Sequence, residues 1–307
     1  MANLGVKFLD LHLKNPFVLA SGILGTSASL MERCARAGAG AITSKSCGPE
    51  AREGHENPVT LAWAGGVINA IGLTNPGVIE EIPLLQETKR RLVALDVPLF
   101  ASIFAPTLHQ FGEVARRIAE AEPDLIEVNI SCPNVASEFG TPFSASTESA
   151  AAVTREVRKA VSLPISIKLS PNVPNIGEIA RAVVDEGADA ITAVNTMPAM
   201  LVDAHAGKPI LKNRTGGLSG SALKPIALRC VEEIASRVAV PIIGTGGVSS
   251  GLDAAEMLMV GATLIGTGSA VAQGGPPVFA RISEELSEFM DNAGYQEIDD
   301  LRGRACR

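Results

Sequence analysis

The chain has 307 residues, of which 46% are hydrophobic and 19% charged, with a formal net charge of -7. These proportions suit a globular protein with a large core, and the acidic balance argues against nucleic acid or an anionic membrane as the main partner. The five cysteines, Cys34, Cys47, Cys132, Cys230 and Cys306, are scattered without a C-x-x-C pair, which argues against a disulfide framework or a metal site and fits a reducing compartment.

No charged segment followed by an apolar run opens the chain, so no signal peptide is expected. No apolar run approaches the ~20 residues that span a bilayer. A cytoplasmic location follows as the expectation.

In chain order, alternating apolar residues between Phe8 and Lys14 predict an N-terminal hairpin, and Phe17 to Ala20 a first strand running into Ser21-Gly22. Two entry signals then recur. Gly-Ala precedes an apolar strand at Gly38-Ala39, Gly187-Ala188 and Gly261-Ala262; an apolar residue and proline do so at Val97-Pro98, Leu163-Pro164 and Val240-Pro241. Glu122-Pro123-Asp124 introduces one more strand, Leu125 to Ile130, which makes eight. Helices are expected near 28–38, 78–95, 107–121, 146–161, 175–186, 222–238, 251–260 and 277–291. Eight strand–helix units predict an α/β fold, a closed (β/α)8 TIM barrel forming one domain over residues 1–307, with a doubly wound open sheet as the alternative.

Two long insertions interrupt the alternation. Residues 46–75 are glycine-rich and end in Asn69-Ala70-Ile71-Gly72-Leu73. Residues 197–221 hold strand-like Met200 to Asp203 and Pro209 to Lys212 ahead of Thr215-Gly-Gly-Leu-Ser-Gly220. Both follow strand ends and are expected on the top face, where barrel active sites are built.

The strand ends themselves are polar or permissive. Asn129, Ser131, Cys132 and Asn134 fall within six residues at the end of the fourth strand. A thiol that can exchange a proton, set among amides, is a catalytic arrangement; a buried thiol in a turn is the other reading. Lys45 and Lys168 each sit at the end of an apolar strand, where a lysine is costly unless it meets an anion or reaches out of the barrel end to water. Gly244-Thr-Gly246-Gly247 and Gly266-Thr-Gly268-Ser269 end the last two strands. Glycines there let backbone amides approach a phosphate, although tight turns use glycine equally well.

Taken together, these motifs resemble the dihydroorotate dehydrogenase family over essentially the whole chain. Asn129-Ile-Ser-Cys-Pro-Asn134 is similar to that family's N-x-S-C-P-N motif, Asn69 to Leu73 to its orotate loop, Ser44-Lys45-Ser46 to its lysine segment, and Gly216-Gly-Leu-Ser-Gly220 to its G-G-L-S-G turn. The resemblance implies oxidation of (S)-dihydroorotate to orotate in de novo pyrimidine biosynthesis, with FMN as first acceptor and Cys132 as general base. Cys rather than Ser at that position is similar to the class 1 enzymes. Asn195-Thr196, the segment Asp203 to Lys212 and Phe139-Gly140 resemble class 1B, whose flavin barrel works with a second subunit carrying FAD and a [2Fe-2S] cluster. A homodimer, or a heterotetramer with that subunit, is the implied assembly. Ser102 and Cys47 depart from the family pattern, since Asn is frequent at the first position and Val or Thr at the second.

For substrate, the resemblance implies Lys45 at the carboxylate, the loop Asn69, Ala70, Ile71, Gly72 and Leu73, and Asn129, Asn134, Asn195 and Thr196. For FMN it implies Ser21, Lys45, Ser46 and Asn129, Lys168 beside the flavin ring, Val194 and Gly220, and a phosphate cradle of Gly246, Gly247, Gly268 and Ser269. No metal is expected. The alternatives are a dihydropyrimidine dehydrogenase-like flavoprotein subunit, a non-catalytic flavoprotein partner, and a flavin-free barrel aldolase or isomerase using Lys168 as a Schiff-base amine.

Overall fold

The computed structural model describes residues 2–132 and 142–306; the expected substrate residue Asn134 and the Phe139-Gly140 pair lie outside the described residues. Alternation of Val6, Phe8, Leu11 and Leu13 folds the start of the chain into an antiparallel hairpin, β1 (Val6–Phe8) against β2 (Leu11–Leu13). Its ladder begins two residues before the expected span because Val6 pairs with Leu13. The chain then forms β3 (Phe17–Leu19), α1 (Ala28–Arg36) and β4 (Ala41–Thr43). The first insertion contributes β5 (Thr60–Trp63) and β6 (Gly66–Asn69), and leads into α2 (Val78–Val93). Next come β7 (Leu99–Ile103), α3 (Leu108–Ile118), β8 (Leu125–Asn129) and α4 (Thr147–Ala160). After β9 (Ile165–Leu169), α5 (Ile176–Asp185) and β10 (Ala190–Ala193), the second insertion supplies β11 (Met197–Ala199), β12 (Val202–Asp203), β13 (Lys208–Pro209) and β14 (Gly216–Ser219). The chain continues through α6 (Lys224–Ala235), β15 (Ile242–Thr245), α7 (Gly251–Met259), β16 (Leu264–Thr267), α8 (Ser269–Gly274), α9 (Val278–Ala293) and α10 (Ile298–Leu301).

Eight of the strands close a parallel barrel in the order β3-β4-β7-β8-β9-β10-β15-β16, with Ile265 of β16 opposite Phe17 of β3. This is the expected (β/α)8 fold with its N-terminal hairpin. The eight expected helices are all present and end within three residues of their expected limits. The short helices α8 and α10 were not expected from the sequence. Ser27, Thr107 and Ser146 start their helices by accepting a backbone N–H three residues on, from Leu30, Gln110 and Ser149. At the start of α7, Ser250 and Asp253 cap each other's backbone reciprocally.

Strand alternation sorts the barrel side chains. Ile126 and Val128 of β8 and Ile167 of β9 join the core that the surrounding helices complete, including Val153, Val157, Ile179 and Val183. The opposite faces of neighbouring strands carry Ser102, Glu127, Ser166, Lys168 and Thr192, all buried. At the N-terminal ends of the strands, Asp124 Oδ2 accepts from Leu99 N and Asp189 Oδ2 from Ile165 N, each at 2.8 Å. Lys89 and Arg158 neutralise those carboxylates, so the two proline-marked entries are held by one repeated device.

The two insertions do not stay separate. β11, β14, β6 and β5 form one antiparallel sheet, in which Gly217 pairs with Asn69 and Ser219 with Val67. Its small core is Ile68, Ala70 and Leu211. The Gly216-Gly-Leu-Ser segment, expected as a turn, is thus a strand. Of the two strand-like runs expected nearby, only Val202–Asp203 and Lys208–Pro209 pair, and they pair with each other. Gly217 has to be glycine here, because a Cβ would lie 2.0 Å from the Thr196 hydroxyl.

One buried carboxyl leaves a measurable mark on stability. Glu81, in the first turn of α2, is 2% exposed, and its Oε1 meets no hydrogen-bond partner among the described residues. Burial pushes its carboxyl up to about 7. An unfolded glutamate titrates near ~4.3, so the folded chain retains a proton that the unfolded chain has released between that pH and about 7. Stability from this group is therefore full below the window and declines as pH rises through it. Glu81→Gln should stabilise the chain by roughly 2–4 kcal/mol more at pH 8 than at pH 4, read from denaturant midpoints. An equal effect at both values would mean that the carboxylate ionises without penalty.

Candidate active site

The C-terminal ends of the barrel strands and the inserted sheet enclose one cleft. Lining it are Ser21, Lys45, Ser46, Asn69, Ile71, Gly72, Leu73, Asn129, Cys132, Lys168, Val194, Asn195, Thr196, Gly246, Gly247, Gly268 and Ser269. Ala70 and Gly220, expected among them, are buried and do not line it. Five residues that sequence reasoning did not single out, Ile23, Thr60, Leu223, Thr245 and Val248, complete part of the wall.

A chain of polar side chains forms the floor. Ser21 Oγ lies 3.2 Å from Ser46 Oγ, and Ser46 Oγ 2.8 Å from Ser102 Oγ. Ser102 Oγ donates to Glu127 Oε1 at 3.0 Å, and Lys168 Nζ reaches the same oxygen at 3.4 Å. Strand register explains the meeting: Ser102 and Glu127 are direct partners on β7 and β8, and Lys168 sits beside Asn129, two residues beyond Glu127. Asn129 Nδ2 donates to Ser46 Oγ at 3.2 Å, which joins the expected amide cluster to this chain. Ser102, a departure from the family pattern, is the link between Ser46 and the carboxylate. Glu127 was missed in the sequence, although a single acid inside Leu125-Ile-Glu-Val128 was the available signal.

The amides are held by their neighbours. Asn195 Nδ2 donates to Asn129 Oδ1 at 3.2 Å and to Ser131 Oγ at 3.0 Å, while its own Oδ1 accepts from Thr196 N at 2.7 Å. Val194 N bonds Thr245 O and Asn195 N bonds Leu169 O, extending the ladders of β15 and β9 past the end of β10. Asn69 closes β6, and its Nδ2 donates to Gly217 O at 3.4 Å. Beyond it, His55 N donates to Ile71 O and Arg52 N to Asn75 O. Asn75, 6% exposed, accepts from Gly48 N and Gly77 N through Oδ1 and donates to Leu73 O. The loop 70–75 is therefore laced to residues 48–55.

Cys132 stands half-buried against Leu73 and Phe104. Burial lowers the Lys45 ammonium's pKa, attraction from Cys132 opposes that shift, and repulsion from Lys168 adds to it. The charge of Lys45 is thus worth most when Cys132 is a thiolate, and each favours the ionised form of the other. Cys47, the second departure, is fully buried, and burial drives its thiol upward and out of reach of acid–base work.

At the far end of the cleft the glycine turns meet. Gly246 and Gly247 have φ of +140° and +78°, and a Cβ on Gly247 would lie 2.7 Å from Gly220 O. The buried Gly220 therefore backs the turn that lines the cleft. Gly268-Ser269 opens α8 beside it, and Thr267 Oγ1 is buried there without a hydrogen-bond partner among the described residues. Among the described residues no group of three or more His, Cys, Asp or Glu side chains is placed to hold a metal.

Comparison with known proteins agrees with the motifs. The family model for dihydroorotate dehydrogenase matches residues 3–290. A relative from Methanocaldococcus jannaschii, dihydroorotate dehydrogenase B (NAD(+)), catalytic subunit, is 42% identical over 94% of this chain and 94% of its own. Proteins of the same description from Methanosarcina mazei and Pyrococcus abyssi are 41% and 37% identical, covering 96% and 99% of this chain and 93% and 99% of their own. With the family model spanning nearly the whole barrel and relatives above a third identical end to end, the chain belongs to the dihydroorotate dehydrogenase family of oxidoreductases.

Proposed function

We propose that this chain is the catalytic subunit of a class 1B dihydroorotate dehydrogenase, an FMN-binding barrel that oxidises (S)-dihydroorotate to orotate with Cys132 as general base. The observation that carries the reading is the meeting of Cys132, Lys45 and the amides of Asn69, Asn129 and Asn195 in a cleft whose other end is the glycine cradle. The residues fit a flavin mononucleotide. Gly246 and Gly247 present bare backbone to the cleft, because their positive φ and their close packing on Ala227, Gly220 and Lys224 admit no side chain. Gly268, Ser269 and the Thr267 hydroxyl, which meets no hydrogen-bond partner among the described residues, lie at the next strand end, and Lys168 is a buried cation lining the same cleft. When bound, FMN supplies the acceptor for a hydride.

In the reaction, dihydroorotate loses a proton from C5 and a hydride from C6, and the C5–C6 double bond of orotate forms between them. Cys132 takes the proton, and the nearby Lys45 charge favours the thiolate that can accept it. Lys45 also offers its ammonium to the substrate carboxylate. Asn69, Asn129 and Asn195 hold the ring amides and the carboxylate, with Thr196 and the Ile71-Gly72-Leu73 loop shaping the pocket; Asn134, outside the described residues, belongs with them on sequence grounds. Ser21, Ser46, Val194 and Lys168, which line the same cleft, would hold the flavin. No helix among the described residues is long and apolar enough to cross a membrane; the electrons would leave for a protein partner. That partner would carry the FAD and [2Fe-2S] groups in a heterotetramer built on a homodimer of this chain.

The reading is tested by adding FMN and dihydroorotate to the purified chain with a dye acceptor and following orotate; a colourless chain that gains nothing from FMN would overturn it. Cys132→Ser should retain flavin and orotate but lose at least a hundredfold in turnover at pH 7, recovering in part at high pH, because an alcohol is a far weaker acid than a thiol titrating near ~8.5. Wild-type rates at pH 7 would remove Cys132 as the base. Lys45→Ala should weaken orotate about tenfold to hundredfold, the loss of one charge-assisted hydrogen bond, and uracil much less; equal losses would assign the lysine to the cofactor or the fold. The chain alone should turn over with the dye but reduce neither NAD nor fumarate efficiently, as a steady-state assay with each acceptor would reveal. Brisk fumarate reduction would instead make it a single-subunit class 1A enzyme.

A further inference from the structure

The function proposed above uses Lys168 but leaves the carboxylate beneath it without a role. Glu127 is 3% exposed and Lys168 6%, in a barrel interior where an isolated charge is expensive. The pair sits at 3.4 Å, and Ser102 Oγ donates to the same Glu127 oxygen at 3.0 Å. A second cation is close by, because Lys45 and Lys168 repel each other through the floor of the cleft. Glu127 is therefore the counter-charge to Lys168.

It also sets the direction of the hydroxyl chain. A carboxylate only accepts, so the Ser102 proton points at Glu127 and Ser102 can accept from Ser46. Ser46 already accepts from Asn129 Nδ2, and with its own proton committed to Ser102 it receives the Ser21 hydroxyl as well. Every proton of the chain then points away from the cleft toward the carboxylate.

We propose that Glu127 is a positioning residue that holds Lys168 at the floor of the cleft and offsets its charge, and so lowers the reduction potential of the flavin bound there. This rests on the flavin reading given above. Adding electrons to a flavin puts negative charge beside Lys168; Glu127 holds the Lys168 ammonium against itself, so the lysine is less free to move toward that added charge and stabilises the reduced flavin less. Removing the carboxylate therefore favours the reduced flavin.

The test is a pair of measurements on Glu127→Gln, Glu127→Asp, Lys168→Gln and the double variant Glu127→Gln/Lys168→Gln. In the flavin-loaded chain, spectroelectrochemistry should find that Glu127→Gln favours reduction about tenfold over wild type, roughly 30 mV for a two-electron couple. Glu127→Asp, which keeps the charge, should stay within about threefold of wild type. In the Lys168→Gln background the Glu127→Gln shift should fall below threefold, because the effect runs through the lysine. In the flavin-free chain, either single Gln variant should lower the thermal midpoint and the double variant should regain at least half of the loss, since removing both charges leaves neither unpaired.

A Glu127→Gln potential within threefold of wild type, or an undiminished shift without Lys168, would overturn the inference, as would a double variant no more stable than the weaker single one. A wild-type chain that takes up no FMN overturns the flavin reading and the tuning with it. That failure is distinct, because the stability comparison still reads the ion pair, whereas the inference alone falls only when the wild type is yellow.

Discussion

The antiparallel pairing of β14 with β6 is the contact on which the upper half of the cleft depends. These strands come from insertions about 150 residues apart in sequence, and each alone is a short glycine-containing segment with little apolar surface to bury. Paired, they share backbone hydrogen bonds and cover the small core of Ile68, Ala70 and Leu211. The consequence is positional. Asn69 is fixed opposite Gly217, and Thr196 packs over the same glycine, so both cleft-lining residues take their places from one ladder. A side chain on Gly217 would push Thr196 off the rim.

Below that sheet the barrel solves an electrostatic problem. Parallel strands aim their alternate side chains at a common axis, and here that brings a lysine, a glutamate and several hydroxyls together in the buried interior. The arrangement is tolerable because each polar group has a partner on the neighbouring strand: Ser166 with Thr192 at 2.8 Å, Ser102 with Glu127, Glu127 with Lys168. A polar interior of this kind contributes little to net stability compared with an apolar one of the same shape. It does hold the cleft floor in one geometry, since a rotation of any member would strand its neighbour without a hydrogen bond.

The two ends of the cleft are built by different means. Around Cys132 the walls are side chains, and the loop that carries Ile71 and Gly72 is pinned by Asn75 and by backbone bonds from residues 52–55. At the glycine turns the wall is main chain, and the lack of side chains at Gly246 and Gly247 lets that main chain pack closely on Ala227, Gly220 and Lys224 behind it. The first is suited to recognising a small polar ring with a carboxylate, the second to an anion approached by amides.

Much of this was legible in the chain itself. The eight barrel strands and eight surrounding helices follow from local signals: apolar runs, serine and threonine caps, and glycine or proline at strand entries, all acting within a few residues. The motif residues Lys45, Cys132, Lys168, Asn195 and the last glycine turns were identifiable for the same reason, since each closes a recognisable strand. What local signals did not carry was the union of the two insertions, because neither Gly66–Asn69 nor Gly216–Ser219 resembles a strand until the other segment supplies hydrogen-bond partners. Nor did they carry the partner of Lys168. Glu127 lies 41 residues away in sequence and meets the lysine only because β8 and β9 pair in the register that sets Asn129 beside Lys168. Sequence alone determined which residues could do chemistry; closure of the barrel decided which of them touch, because contacts between distant strands are set by register, and register is a property of the whole sheet.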